Sequence, residues 1–243
     1  GTGYHWVKWK NETWTRFDYE PRVNRRNMDI LARETHADIF VMGANGGKKT
    51  KIASDIDLTC SGYSDLIWRP NGKKILFQTS TLSDNNHITN FDIRIMDADG
   101  GNQKRLTDYP EYDTSPKWSS DGKKIAYRSG NLSNFDIWTM NPDGSDKKQI
   151  TVGTLITDFD WSPDGRRIAY ISWLTKAPKA KEIWIMDADG SNKELLLSVP
   201  CDPSQVGMGL AWIPDGSKIA FDYYMIDVVN SDIYIIDVPA MGE

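Results

Sequence analysis

The sequence predicts an all-β chain folded as a five-bladed β-propeller with four antiparallel strands in each blade. Three observations lead there. A unit recurs along nearly all of the 243 residues, with anchor positions at Val23, Trp68, Trp118, Trp161 and Trp212. Their spacings of 45, 50, 43 and 51 residues fall in the range of propeller blades. Within each unit, short runs rich in Ile, Tyr, Trp and Phe alternate with Asn-Gly or Asp-Gly, the punctuation of strands and tight turns.

The elements follow in order. The first strand of a unit runs up to its anchor. Asn71-Gly72, Asp121-Gly122, Asp164-Gly165 and Asp215-Gly216 then read as two-residue hairpin turns, with φ > 0 expected at both positions. Lys74–Phe77 and Ile168–Tyr170 belong to second strands, Asp136–Met140 and Glu182–Met186 to third strands. Ala98–Gly100, Pro142–Gly144 and Ala188–Gly190 make the next turns, and Lys104–Thr107 and Lys148–Thr151 the fourth strands. The first unit is worn: His36–Ile52 keeps the second half, and Pro21–Asn27 aligns with Pro116–Gly122. The last unit stops after its third strand, near Pro239. Tyr4–Phe17 alternates like a hairpin and is expected to supply that blade's outer strand, removing two exposed edges. The chain is thus expected to be one domain, 1–243, with a closing segment over 1–17. Its blades cover about 18–54, 63–107, 113–151, 156–197 and 207–239. The alternative is a six-bladed ring or a fragment of one.

Composition bounds the function. Charged residues at 26% and hydrophobic ones at 39% describe a folded globular chain rather than a disordered one. No apolar run nears the ~18 residues of a membrane span. A net charge of -5 without a basic face argues against nucleic acid. Three histidines make a His-based zinc site a poor reading. Cys60 and Cys201 are expected to be separate thiols.

The paired signature, Trp161–Tyr170 (WSPDGRRIAY) with Asp136–Ser145 (DIWTMNPDGS), resembles the TolB-type propeller repeat. The resemblance covers the chain from about residue 18. TolB is the periplasmic propeller of the Tol–Pal envelope system, which binds a peptidoglycan-associated lipoprotein and other Tol components. Similar repeats occur in secreted proteins and in propellers attached to serine peptidases. TolB has six blades and an N-terminal α/β domain, whereas five units and no such domain are read here. The resemblance therefore implies the fold and a periplasmic or extracellular location, with a signal peptide already removed, more than a place in the Tol machine; a cytoplasmic location stays open.

A peptidase needs a Gly-x-Ser-x-Gly elbow, which the sequence lacks. Asp97–Asn102 and Asp187–Asn192 put glycine fourth rather than sixth, so they read as turns and not as EF-hand loops. Three and five residues before the anchors, period-2 geometry sets Asp18, Glu20, Asp65, Asp113 and Asp158 on one strand face. Crowded at a channel mouth, these acids suit calcium or another hard cation. The rival reading is that they cap nearby backbone N–H groups. Tyr63, Tyr109, Tyr112, Trp173, Tyr223 and Tyr224 sit in or beside the long loops and are candidate binding anchors, each against the reading that it packs over a blade end. Lys176, Lys179 and Lys181 read as a solvated loop.

The function these residues favour is a non-catalytic platform for another protein or a cell-envelope polymer, through the loop-rich face. Alternatives are a glycoside hydrolase using the channel-mouth acids and a structural module of a larger surface protein. The expected state is a monomer without nucleic-acid partner or membrane insertion.

Overall fold

The computed structural model describes residues 3–9, 13–19, 36–43, 49–57, 66–82, 88–108, 110–131, 134–174, 179–200, 209–223 and 232–239. Among them there is no helix, hence none able to cross a membrane. The chain divides into two compact units, Gly1–Pro116 and Lys117–Glu243.

The first unit holds two four-stranded sheets. Sheet one is β1 (Gly3–Trp9), β2 (Thr13–Tyr19), β3 (His36–Gly43) and β4 (Thr50–Asp57), paired in that order. Sheet two is β5 (Ile67–Trp68), β6 (Lys74–Leu82), β7 (Ile88–Asp97) and β8 (Lys104–Arg105). One core joins them: Ile39, Ala53 and Ile56 of sheet one pack with Leu66, Trp68, Ile75, Phe77 and Met96 of sheet two.

The division between units falls inside β9 (Tyr112–Trp118), the first strand of sheet three, which continues with β10 (Ile125–Asn131), β11 (Asn134–Met140) and β12 (Lys148–Gln149). Sheet four is β13 (Ile156–Trp161), β14 (Arg167–Leu174), β15 (Ala180–Asp187) and β16 (Glu194–Pro200). The fifth sheet has three described strands, β17 (Leu210–Trp212), β18 (Lys218–Tyr223) and β19 (Asp232–Asp237). Ala126, Ile137 and Ile150 of sheet three share a core with Ile156, Phe159, Trp161, Ile168, Tyr170 and Met186 of sheet four. Ala169, Ile171, Ile183 and Ile185 on the other face of sheet four meet Leu210, Trp212, Ile219 and Phe221 of sheet five. Alternation explains this: successive residues of one strand serve opposite faces, so each sheet contributes to two cores. Burial of such large apolar side chains is worth about 1.5–3 kcal/mol each.

The anchors stitch neighbouring sheets as well as filling cores. Trp161 donates its indole N–H to the Lys117 carbonyl at 3.3 Å, and Trp212 donates to the Asp160 carbonyl at 3.2 Å. In each case the acceptor immediately precedes the anchor of the sheet before.

A threonine hydroxyl sets the length of the fourth strand. In sheet three the Thr151 hydroxyl accepts the Ile137 N–H at 2.8 Å and donates to buried Asp136 at 2.9 Å. In sheet two the Thr107 hydroxyl accepts the Ile93 N–H at 2.9 Å. The side-chain oxygen replaces the next ladder carbonyl, and β8 and β12 stop at two residues each. Alanine (Ala53) and leucine (Leu197) hold that position in sheets one and four, where β4 runs for 8 residues and β16 for 7. Register shifts at Ile39 and Ile183 mark where those longer strands carry on.

Four expectations need correction. The Asp-Gly turns are not two-residue hairpins with both residues at positive φ. Gly122 and Gly165 have φ of 69° and 71°, while Asp121 and Asp164 are not in the positive region. Gly122 N–H bonds the Ser119 carbonyl at 2.8 Å, and the Asp121 carboxylate accepts the Lys123 N–H at 2.9 Å, a four-residue turn with an aspartate cap. Secondly, the N-terminal hairpin lies in sheet one, not in the last sheet. β2 pairs β3 over Thr13↔Gly43 to Asp18↔Asp38; closure entropy grows with the length of chain between partners, and β3 is far nearer along the chain than β19. Residues 20–35, with Val23, lie outside the described residues. Thirdly, the connections from second to third strand, which the sequence reads as long loops over Thr79–Asn90 and Ser172–Lys181, are narrower: β6 reaches Leu82 with β7 starting at Ile88, and β14 reaches Leu174 with β15 starting at Ala180. Fourthly, Lys181 is not in a solvated loop. It is 6% exposed in β15, opposite Trp173 and Val199. Cys60 and Cys201 fall outside the described residues.

Candidate functional site

The anchor tryptophans lie at the ends of β5, β9, β13 and β17, the first strands of sheets two to five, and those strands place the charged residues. In β13, Asp158 and Asp160 alternate on one face, two residues apart. Lys117, from the end of β9, extends to both: its Nζ lies 3.4 Å from Asp158 Oδ1 and 3.7 Å from Asp160 Oδ1. It also donates to the Phe159 carbonyl and stands 5.3 Å from the centre of that ring. The three charged side chains are 29–31% exposed, so they reach solvent from an ordered strand.

On the far side, Asp158 Oδ2 accepts the Leu210 N–H at 3.0 Å, and Oδ1 accepts the Phe159 N–H at 2.9 Å. The Gly209 N–H is taken by Asp222 Oδ1. Asp158 therefore caps the start of β17, the role weighed against cation binding in the sequence. Burial raises the Asp160 carboxyl above the ordinary aspartate range, opposed by Lys117 and by the Trp212 backbone N–H.

Trp173 lies at the same end of sheet four. Its backbone N–H bonds the Leu155 carbonyl at 2.9 Å, beside the start of β13. The side chain is partly exposed, and its indole N–H, which is itself screened from solvent, finds no hydrogen-bond partner among the described residues. In the first unit, Tyr112 packs edge-to-face with Phe91, with ring centres 5.2 Å apart.

The remaining anticipated residues are placed unevenly. Asp113 is buried in β9 at 1% exposure. Asp18 occupies β2 opposite Tyr4 and Asp38, and Tyr223 ends β18 opposite Asp232. Tyr63, Tyr109, Tyr224, Glu20 and Asp65 lie outside the described residues. Among the described residues, no group of three or more His, Cys, Asp or Glu is arranged to hold a metal ion. Lys117 and Asp160 escaped the sequence reading. They stand one residue before their anchors, and the alternation that selected positions three and five before would have selected them too.

The repeat has known counterparts. A family profile described as the TolB beta propeller domain matches residues 67–198. The chain belongs to this TolB β-propeller family. Dipeptidyl-peptidase 5 of Porphyromonas endodontalis is 27% identical over 171 residues, 66% of this chain and 24% of that protein. The Tol-Pal system protein TolB of Anaeromyxobacter dehalogenans is 32% identical over 110 residues, 43% of this chain and 24% of that protein. The TolB-type chain thus spans about a quarter of each of these relatives. An oligogalacturonate lyase solved in complex with manganese superposes with a TM-score of 0.72 at 14% identity, over 98% of this chain and 65% of that one. At that identity the TolB-type chain shares its fold alone.

Proposed function

We propose that this TolB-type chain is a non-catalytic binding platform, extracytoplasmic in location, whose partner is a protein or a polymer of the cell envelope. The observation that carries the reading is Trp173. A partly exposed tryptophan at a strand tip, with its indole N–H unmatched among the described residues, is the kind of side chain that anchors interfaces. The engagement of Asp158 favours the same reading. Asp158 is already engaged by two backbone N–H groups and Lys117, which leaves it little capacity for acid–base work.

The test measures binding of the chain to purified peptidoglycan and to purified peptidoglycan-associated lipoprotein, with Trp173→Ala beside the parent. One of the two is expected to bind, and the variant to lose at least about tenfold in affinity, the ~1.4 kcal/mol of a modest anchor, with an unchanged melting temperature. Absence of binding to both ligands, or an equal affinity for the variant, would refute the platform.

A further inference from the structure

An exposed valine stands on a tightly fastened turn of the second unit. Val152 is 78% exposed. The turn that carries it, between β12 and β13, closes over the buried carboxylate of Asp136. That carboxylate accepts the Gly153 N–H at 3.0 Å, the Thr154 N–H at 3.2 Å, the Thr154 hydroxyl at 2.7 Å, the Thr151 hydroxyl at 2.9 Å and the Gln149 amide at 3.1 Å. Val152 is therefore held out to solvent by its own turn rather than left there by slack. The matching residue after Thr107 in sheet two is Asp108, also exposed, the kind of polar side chain such a turn ordinarily shows.

Further apolar groups lie at the same end of sheets three and four. Leu155 forms a parallel bridge with Phe135 near the start of β11, and its carbonyl accepts the Trp173 N–H. Leu155 and Phe135 are both partly exposed. Leu174, the last residue of β14, is 41% exposed. Alternation sets it on the strand face of Tyr170 and Ser172, the face turned to sheet three, while Trp173 takes the opposite face of the same tip. All of these residues belong to the second unit. Single exposed apolar residues are ordinary, but a preformed run of them at one strand tip marks a contact surface.

The chemistry of this strip selects its occupant. Phe135, Val152, Leu155 and Leu174 carry no polar side-chain atom, so sugar hydroxyls laid against them would lose water without gaining partners. An apolar peptide side chain loses nothing there. Of the described acids at this end, Asp136 is saturated and Glu182 holds the Trp184 indole N–H at 2.9 Å. Cations border the strip. Lys179 is exposed one residue before Ala180, the cross-strand neighbour of Leu174, and the Arg128 guanidinium lies 5.2 Å from the centre of the Phe135 ring.

We infer that this end of sheets three and four is a docking surface for an extended peptide segment of a partner protein, in which a large apolar side chain seats against Val152 and Leu174 and a neighbouring carboxylate faces Lys179. The inference rests on the platform reading and narrows its partner to a protein. The fastened turn needs no ordering on binding, which favours affinity from a small contact.

The test selects a phage-displayed library of random dodecapeptides on the full chain and titrates the selected peptides, made synthetically, by fluorescence anisotropy. They are expected to share an apolar residue beside Asp or Glu. Val152→Ser and Leu174→Ser should each weaken binding at least about tenfold, and Val152→Leu should retain it. All three variants should melt with the parent, because the replaced side chains are exposed. Selection of no peptide, a selected set lacking the acidic residue, or equal affinity for the serine variants overturns the inference. Binding of a chito-oligosaccharide that is lost in Val152→Ser overturns it by seating a glycan on the strip, and concentration-dependent self-association lost in that variant overturns it by seating a second copy. The platform is judged separately. If Trp173→Ala weakens binding to purified peptidoglycan or lipoprotein while both serine variants bind as the parent does, the platform stands and this surface falls.

Discussion

Three glycine-to-alanine substitutions should rank in stability by how closely a neighbouring sheet approaches. Gly100 closes the β7–β8 turn at φ +87°, and a Cβ there would overlap the Ile52 carbonyl oxygen and sit 2.5 Å from its carbon. Gly190 closes the β15–β16 turn at φ +92°, and its Cβ would lie 2.7 Å from the Ile150 carbonyl oxygen. Gly153 has φ +69° with nothing within 4 Å of the added carbon. All three variants meet the left-handed backbone penalty of about 1–2 kcal/mol. Gly153→Ala should show that alone. Gly190→Ala must also push a backbone carbonyl aside by several tenths of an ångström, adding about 1–2 kcal/mol by analogy with overpacking. Gly100→Ala cannot be accommodated without separating the turn from β4, and about 2–3 kcal/mol more is expected. At roughly 2–4 °C per kcal/mol for a chain of this size, the ordering is measurable in thermal melts and in urea titrations. If the three variants melt together, or Gly153→Ala is the worst, the close approach between successive sheets does not set the stability of these turns.

Two further outcomes follow from buried polar groups. Thr151→Val removes the hydroxyl that joins Asp136 to the Ile137 N–H, and about 2–4 kcal/mol should be lost in urea unfolding, with Thr151→Ser retaining most of it; a loss under ~0.5 kcal/mol for valine would discredit the lock. Asp160→Asn removes a carboxyl whose folded pKa is raised by burial. A raised carboxyl binds its proton more tightly in the native state, so its contribution to stability falls as pH climbs from the ordinary value near 3.8 through the raised one. The stability of the asparagine variant minus that of the parent should therefore rise across that interval and level off above it. A difference that shrinks with rising pH would contradict the assigned cause.

The sequence carried the repeats, the tryptophan anchors and the strand order within units, because strong periodic signals leave little freedom. It misjudged the turns because Asp121-Gly122 shows that a turn is present but not how many residues separate the last paired positions, a count set by where Trp118 and Ile125 lie. It placed the N-terminal hairpin wrongly because Thr13–Tyr19 alternates as any edge strand does, and alternation does not name a partner. Of the acids, Asp158 was legible as a candidate, but its bond to the Leu210 N–H, 52 residues away, depends on which strands the fold brings together. Trp173 was legible as a candidate, but its unmatched indole N–H depends on three-dimensional surroundings. The glycines at the third turns read as turn formers only; their approach to Ile52 and Ile150 belongs to packing between units of the repeat.

The threonine lock has a consequence for misassembly. Where Thr107 and Thr151 end the ladder, the outermost strand is too short to template another chain. Where leucine replaces threonine, β16 presents seven consecutive residues, ELLLSVP, as the last strand of its sheet. A single missing hydroxyl thus turns a guarded margin into an adhesive one, in sheet four as in sheet one, where Ala53 holds the same position of the eight-residue β4.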